Sequence, residues 1–505
     1  MALRLSGLAS GMDTEAIVEQ LMKAHRIKAT KIQKKITTTE WMQEKWKDLN
    51  SKIYSFYTNQ LSKIRMQGSF LTKKVVSSNV SKVEATAGTN APEGTHTVKV
   101  IQLASAQFVT GAKIDKNDIG LSTKLADLDI DTSDNPVISI EASGKKVDFV
   151  VTENKTVGDF INALRSVGLN ANFDATHKRI FISSKESGKD NAFTVTASDG
   201  HSDVLAKLGL GQIIKNEDGT TELIGNPDAK LVQARDAVIE YNGVELTGSS
   251  NNFTVNGLTL SLKEVTAIDE EITLTVSGNT EAVYNMIKDF IKAYNELLSE
   301  MNKAFYAESA RGYEPLTDEE KEAMTEEQIK KWEDKIKDSL LRRDDTLGSL
   351  INLFRTTLSE SISVNGKNYT LSSFGIASQN YTEKGILHIS GDEDFSSALS
   401  ENKLMEALTN NPEEVMNVFN SIAEKLYESL MEKMKSTSLS SALTVYNDKE
   451  MAKTLNDYKA DLKKMESKLA DLEQKYYKQF AAMESAMAKM NSQSSNLMSM
   501  LGMKQ

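Results

Sequence analysis

Apolar residues recur every seven positions near the C-terminal end of the chain. The first heptad position holds Leu455, Leu462, Leu469, Tyr476, Met483, Met490 and Leu497. The second position, three residues later, holds Tyr458, Met465 and Leu472. This spacing predicts a supercoiled helix over residues 451–501 that packs against a partner helix. After Tyr476 the apolar seam shifts by a four-residue step and continues through Phe480, Met483, Met487 and Met490. Such a step is expected to unwind the supercoil locally.

The N-terminal segment carries a second apolar stripe. Between Gly11 and Gly68 the chain has neither glycine nor proline, the two residues that most readily break helices. Asp13 is the predicted N-cap. Strong apolar positions at three-to-four spacing are Trp46, Leu49, Ile53, Phe56, Leu61 and Ile64, and a thinner stripe passes through Ile17 and Leu21. We expect the two terminal helices to pack together along these stripes, which makes the seam residues the candidate packing and assembly site.

The middle of the chain alternates apolar and polar residues at the spacing of β-strands. Residues 95–100, 137–141 and 147–151 show this alternation, and the last two runs flank a Ser143-Gly144 turn. Hairpin turns are predicted at Asn242-Gly243, Asn256-Gly257 and Asp218-Gly219. Residues 156–167 have helical spacing and lie before two short apolar runs, so they predict a small α+β unit.

Helical spacing returns at Thr280, and a charged stretch over residues 317–337 precedes another helix near residues 347–358. The fold class is therefore a multidomain α+β protein in which both termini form a long, coiled-coil-like helical stalk with inserted β-rich head domains. The predicted divisions are a terminal helical leg (1–42 and 452–505), a helical stalk domain (43–75 and 279–451), a β-rich head domain (76–112 and 229–278) and an inserted α+β head domain (113–228).

Composition limits the class of protein. A chain of 505 residues is too long for one hydrophobic core. Its 60 basic and 71 acidic residues give a net charge of −11, which argues against a nucleic-acid partner. No apolar run approaches the roughly 20 residues that span a bilayer, and the N-terminus is a poor cleavable signal. The absence of cysteine excludes disulfides and thiolate chemistry.

No catalytic, cofactor or metal site is predicted. The five histidines are isolated in sequence: His25, His96, His177, His201 and His388. Gly209-Leu210-Gly211 lacks the third glycine of a dinucleotide fingerprint, so we interpret it as a turn. A calcium-loop match beginning at Asp115 fails because Ala126 stands where the bidentate glutamate belongs. The expected role is structural rather than enzymatic.

Three segments together resemble the flagellar filament-capping family, also called hook-associated protein 2. They are Leu5-Ser-Gly-Leu-Ala-Ser-Gly-Met-Asp-Thr-Glu, Phe290-Ile-Lys-Ala-Tyr-Asn-Glu-Leu-Leu and Met490-Asn-Ser-Gln-Ser-Ser-Asn-Leu. Residues 156–195 are similar to a small repeat of flagellins and hook-associated proteins. The resemblance covers nearly the whole chain, with a departure at residues 313–346, where many members have a short loop.

The resemblance implies a structural cap at the distal tip of a bacterial flagellar filament, which promotes folding and insertion of exported flagellin and prevents its loss to the medium. It implies a homo-oligomeric ring, with flagellin, hook–filament junction proteins and an export chaperone as further partners. It also implies an extracellular location reached through the flagellar type III system. Two alternatives stay open: an adhesin that acts through the head, and a hook–filament junction protein, whose loss would detach filaments at the base.

Overall fold

The computed structural model of the chain describes residues 11–392 and 401–500. It divides into two compact units: a helical unit, formed by residues 1–70 and 280–505, and a β unit, formed by Leu71–Asn279. Residues 5–10 of the N-terminal motif lie outside the described residues. The finer domain boundaries predicted from the sequence stay predictions.

The helical unit contains nine of the described helices. They are α1 (Thr14–Ser55), α2 (Ser62–Arg65), α5 (Thr280–Phe305), α6 (Asp318–Glu322), α7 (Glu326–Ser339), α8 (Asp345–Ser359), α9 (Lys403–Asn410), α10 (Pro412–Lys433) and α11 (Asp448–Met500). The six strong apolar positions predicted in the N-terminal segment are all buried in the core of this unit. They pack with the buried faces of α5, α8 and α10, where Phe290, Phe354 and Phe419 are almost fully enclosed.

The predicted start and course of the first helix are confirmed. Asp13 is the N-cap, and its carboxylate accepts a hydrogen bond of 3.0 Å from the Ala16 backbone N–H. One detail was not predicted: α1 continues into α2 through a π-helical turn at Phe56–Leu61. Such turns place an extra residue in the helix and change the direction in which the following side chains point. Phe56, Tyr57 and Leu61 are buried there because the turn directs all three into the core.

Residues 279–451, which the sequence predicts as part of a helical stalk domain, also contain four short strands. Two short hairpins lie between α8 and α9: β18 (Ile362–Val364) with β19 (Lys367–Tyr369), and β20 (Ile376–Ala377) with β21 (His388–Ile389). The first turns at Asn365-Gly366, where φ is 52° and 76°. This third Asn-Gly pair is the signal that the sequence interpretation missed, since such pairs favour two-residue hairpin turns.

The β unit contains α3 (Val157–Ser166), α4 (Asp203–Lys207) and seventeen strands in the chain order that follows. These are β1 (Lys73–Ser77), β2 (Val83–Ala87), β3 (Gly94–Gln102), β4 (Phe108–Thr110), β5 (Val137–Ala142), β6 (Lys145–Val150), β7 (Asn170–Asp174), β8 (Arg179–Ser183), β9 (Thr194–Ala197), β10 (Gln212–Lys215), β11 (Thr221–Ile224), β12 (Lys230–Val232), β13 (Ala237–Tyr241), β14 (Val244–Gly248), β15 (Asn252–Val255), β16 (Leu258–Leu262) and β17 (Ile272–Gly278).

Two hydrophobic clusters hold the sheets of the β unit. One lies between the sheet β1-β17-β3-β13-β14 and the sheet β15-β16-β2. The other lies among the sheet β11-β10-β9-β5-β6, the sheet β12-β4-β8-β7 and helix α3. Thr156 caps α3 in a capping box with Asp159, and the apolar positions predicted for this helix, Val157, Phe160, Ile161 and Leu164, are buried.

The predicted hairpin turns are confirmed. Asn242-Gly243 joins β13 to β14 and Asn256-Gly257 joins β15 to β16, with positive φ at every one of these four residues. A two-residue turn of this kind requires the left-handed region at both positions, which asparagine and glycine tolerate best. Asp218-Gly219 lies in the turn between β10 and β11. In the described part of the chain, no helix combines the length and the hydropathy required to cross a bilayer.

Candidate functional site

The two terminal helices, α1 and α11, pair with opposite directions. His25 Nε2 lies 3.3 Å from the Tyr476 hydroxyl, and Arg26 lies 3.7 Å from the Glu473 carboxylate. Further along, the Glu40 carboxylate forms an ion pair of 2.7 Å with the Lys459 ammonium group. Because residue numbers rise along one helix while they fall along the other, the pair is antiparallel. The predicted packing of the two chain ends against each other is therefore present within one chain.

The heptad seam of α11 is only partly covered by α1. Leu455 at its start is buried. The half-buried positions are Tyr458, Leu462, Met465, Leu469, Leu472, Tyr476, Phe480, Met483 and Met487. Met490 and Leu497 are 68% and 59% exposed. One neighbouring helix covers one side of such a seam, so an apolar edge remains open to solvent along most of the helix.

The start of α1 differs in phase from the prediction. Ile17 is half-buried and Leu21 is 39% exposed, whereas the neighbouring Val18 and Met22 are each 1% exposed. The sequence interpretation placed Ile17 and Leu21 on the apolar stripe, but each helical position rotates by about 100°, so the adjacent row of residues faces α11 in the structure. A packing role for Ile17 and Leu21 stays a prediction that concerns contacts outside the single chain.

The base of the helix pair is fixed by more specific contacts. The Trp46 and Tyr446 rings stack with centroids 5.3 Å apart and planes inclined by 8°. Asn50 donates a hydrogen bond of 3.1 Å to the Leu443 carbonyl and accepts one of 2.9 Å from the Val445 N–H. Burial also raises the pKa of the Tyr446 hydroxyl. The segment before α11 is thus held to α1, a contact that no local sequence pattern indicated.

The helical hairpin α6–α7 packs on the middle of α1. Lys34 lies 3.4 Å from the carboxylates of both Glu314 and Glu320. Lys337 lies over the ring of Trp41 at 4.6 Å from its centroid, and Ile336 is buried nearby. These contacts restrain α1 from a side that α11 does not cover.

Exposed ion pairs add little to the pairing of α1 with α11. The Arg26 and Glu473 side chains are 51% and 33% exposed, and those of Lys459 and Glu40 are 51% and 42% exposed. Pairs of this kind contribute about 0.2–1 kcal/mol each and weaken as salt rises. The apolar seam therefore provides most of the stabilisation between these helices.

Three exposed apolar side chains share one sheet face of the β unit. Phe108, Phe181 and Val232 are 49%, 39% and 56% exposed. They share one side of the sheet β12-β4-β8-β7, because Val232 pairs directly with Phe108 and Phe181 pairs with Thr110, two residues along β4. Contiguous exposed apolar side chains of this kind mark contact surfaces more often than isolated ones do.

Each of the remaining four histidines contacts a neighbouring polar group. The His96 Nδ1 accepts a hydrogen bond of 2.9 Å from the Tyr241 hydroxyl, and the His177 ring lies 2.9 Å from Asp174. His201 contacts the Asp199 carbonyl, and His388 lies 3.0 Å from Glu383. Within residues 11–392 and 401–500, no group of three or more histidine, aspartate or glutamate side chains is arranged to hold a metal ion.

Comparison with known proteins gives a consistent result over the whole chain. The profile described as "Flagellar hook-associated protein 2 C-terminus" matches residues 234–492, and that described as "Flagellar hook-associated protein 2 N-terminus" matches residues 10–107. The flagellar hook-associated protein 2 of Halalkalibacterium halodurans is 26% identical, over 98% of this chain and 99% of its own.

Two further relatives extend the comparison. The B-type flagellar hook-associated protein 2 of Pseudomonas aeruginosa is 25% identical, over 86% of this chain and 85% of its own. The crystal structure of the D1-D2-D3 domains of the flagellar cap protein FliD from Escherichia coli superposes with a TM-score of 0.52 at 20% identity. It covers 76% of this chain and 95% of that chain, which shows that the fold is shared.

Proposed function

Because the chain belongs to the flagellar hook-associated protein 2 family, we propose that it caps the distal tip of a bacterial flagellar filament. In this role it retains exported flagellin at the tip and promotes its folding and insertion into the filament. The protein acts as a structural scaffold rather than as an enzyme. It reaches the tip outside the cell through the flagellar type III export system, for which an unfolded, cysteine-free chain is suited.

The observation that carries this proposal is the half-covered seam between α1 and α11. A cap must remain attached while successive subunits are added beneath it, so its contacts with the filament must form and break repeatedly. The half-buried positions from Tyr458 to Met487 offer apolar contacts without full enclosure. Their methionines adapt to different neighbours because the side chain is unbranched and flexible. Partly covered helices of this kind suit reversible contacts with helical filament subunits.

Several copies of the chain assemble into a ring in this proposal, and hook–filament junction proteins and an export chaperone are transient partners. The exposed face of Phe108, Phe181 and Val232 favours a protein contact by the β unit. Sedimentation velocity at increasing concentration tests self-association. A discrete larger species supports the ring, whereas a monomer at every concentration contradicts it.

The deciding experiment removes the gene and follows flagellin. We expect flagellin monomer in the medium and bare hooks that still carry their junction proteins, and restoration of filaments by the wild-type gene. Normal filaments in the deletion strain would contradict the cap. Detachment of complete filaments at the base would instead indicate a junction protein.

The apolar face of the β unit also favours a second, added role in adhesion to surfaces. This role predicts that a strain with Phe108→Ser and Val232→Ser grows normal filaments yet binds less well to a host-cell or matrix surface. Equal adhesion of the two strains would remove this candidate function.

A further inference from the structure

A groove with an excess of positive charge lies beside the middle of α1. Its walls are α1, the segment that enters the α6–α7 hairpin, the end of α7 and Tyr458 of α11, and it encloses about 700 Å³. We call it the basic groove. The charged side chains that line it are Lys31, Lys34, Lys35, Arg311, Arg342 and Glu314.

The charge of the basic groove opposes that of the whole chain. Five of its lining side chains are cationic and one is a carboxylate, whereas the chain carries a net charge of −11. Lys34 is the cation that the carboxylates of Glu314 and Glu320 neutralise. Among the described residues, the other four cations have no carboxylate within ion-pair distance. Together they create a local positive potential that attracts anionic groups.

Buried contacts hold the groove open. Pro315 and Ile336 in its wall are buried, and the rings of Tyr313 and Trp332 pack at 4.5 Å between centroids. The Trp332 indole N–H donates a hydrogen bond of 2.9 Å to the Glu314 carbonyl, which fixes the entering segment against α7. The walls of the groove are therefore fixed by the fold, and the exposed side chains of Lys31, Lys35 and Arg311 add positive charge along them.

We propose that the basic groove binds an acidic peptide segment of a protein subunit that arrives at the filament tip. This inference rests on the proposed function and names a contact for it. The lining of α1 extends from Lys31 to Thr39, about 12 Å at 1.5 Å per residue. Positive groups spread over that length match several carboxylates along a peptide, and the apolar and tyrosine surfaces between them match its side-chain stems.

The binding test uses the full chain and a fluorescein-labelled hexaglutamate peptide, followed by fluorescence anisotropy at low ionic strength. Lys31→Glu with Arg311→Glu reverses two groove charges and is expected to weaken binding at least about tenfold. The matched control, Lys145→Glu with Lys215→Glu, makes the same change in net charge at exposed sites of the β unit and is expected to bind within about twofold of wild type.

Three outcomes overturn the inference. Equal loss in the groove and control variants means that overall charge attracts the peptide. Displacement of the peptide by inorganic phosphate at equal concentration means that the groove holds a single anion. Full complementation of the deletion strain by the groove variant, with filaments of normal number and length, removes the filament subunit as the partner. Two controls separate failure of this inference from failure of the cap proposal. Bare hooks in the deletion strain support the cap, and normal circular dichroism of the groove variant shows that it folds. Full complementation by that folded variant then removes only the groove inference.

Discussion

At the scale of single residues, a largely buried polar cluster joins α5 to Asp392 and Asn402, which precede α9. The Tyr284 hydroxyl donates a hydrogen bond to Asp392, and Asn402 donates one of 2.8 Å to the same hydroxyl. Lys288 lies 2.9 Å from the Asp392 carboxylate, whose side chain is 4% exposed. Buried polar groups stabilise a fold only when their hydrogen bonds are satisfied, as those of this cluster are.

The tyrosine of this cluster predicts a loss of stability at alkaline pH. Burial, followed by the hydrogen bond to Asp392, raises the pKa of Tyr284 to about 12. An unfolded tyrosine loses its proton near pH 10, so unfolding releases a proton between these two values. The free energy of unfolding of the helical unit should therefore be unaffected by this group below about pH 10, and should fall as pH rises from about 10 to 12.

Urea unfolding at several alkaline pH values checks this prediction. Tyr284→Phe should be less stable at neutral pH, because Asp392 and Asn402 each lose a hydrogen-bond partner, and its stability should fall less steeply above pH 10. Tyr381→Phe is the control, since that side chain is 92% exposed. Identical pH profiles for wild type and Tyr284→Phe would show that the tyrosine does not retain its proton in the folded state.

Residue-scale prediction from the sequence succeeded where one side chain and its near neighbours decide the structure. Asp13 caps α1 and the predicted Asn-Gly pairs form turns, because each depends on contacts within a few residues. Within the single chain, the buried row at the start of α1 holds Val18 and Met22 rather than the predicted Leu21. Which of two adjacent apolar rows is buried depends on the neighbouring helix, and the local sequence does not contain that information.

At the scale of elements, the pair of α1 and α11 combines a secure base with a partly covered seam. Leu455 and the stack of Trp46 on Tyr446 enclose the base. Exposure rises toward the other end of α11 and reaches 68% at Met490. Local stability follows the density of buried contacts, so opening of the pair should begin at that end.

Two charged substitutions in the seam test how much α11 contributes to the stability of its pairing with α1. Leu462 and Leu469 are half-buried, and each buried leucine contributes about 1.5–3 kcal/mol when fully enclosed. Replacing both with aspartate should separate the two helices, lower helical circular dichroism and prevent filament growth, while the β unit remains folded. Near-ultraviolet circular dichroism and limited proteolysis with mass spectrometry identify which unit is affected.

The control adds the same charges to the outer side of the helix. Ala460→Asp with Ala470→Asp alters two exposed positions of α11, so the seam stays intact and only the helix propensity changes. Unchanged protease resistance and filament growth in the Leu462→Asp, Leu469→Asp variant would contradict a stabilising role for the seam.

The α6–α7 hairpin shows how strong local signals produce an element without revealing its position. Thr317 with Glu320 and Thr325 with Gln328 both form capping boxes. This pattern is readable from sequence because its two partners are three residues apart. The docking of the hairpin on α1 through Lys34 and Ile336 joins residues about three hundred positions apart, so only the folded chain discloses it.

At the scale of the whole molecule, the two ends of the β unit lie next to each other. The Asn279 N–H donates a hydrogen bond of 2.8 Å to the Thr72 carbonyl, and Lys73 pairs with Gly278 across β1 and β17. The ends of the β unit are therefore adjacent, as they are in domains inserted into another domain.

This arrangement predicts that residues 71–279 fold without the rest of the chain. The two hydrophobic clusters of the β unit are composed of its own residues, so the isolated fragment should be folded. Circular dichroism should show a β-rich spectrum, and thermal unfolding should be cooperative. A fragment that lacks dispersed amide signals in its NMR spectrum would show that the helical unit is required for its stability.

The sequence by itself determined the helical ends, the β-rich insertion, the caps and the hairpin turns. Each of these follows from periodicity or from residues close together in the chain, such as the Asn242-Gly243 turn. It also carried the motifs by which the family is recognised. The tertiary structure alone decided the antiparallel pairing of α1 with α11, the row of α1 that is buried, and the basic groove formed around Lys31 and Arg311. These depend on surfaces brought together from distant parts of the chain, and local propensities do not specify such contacts.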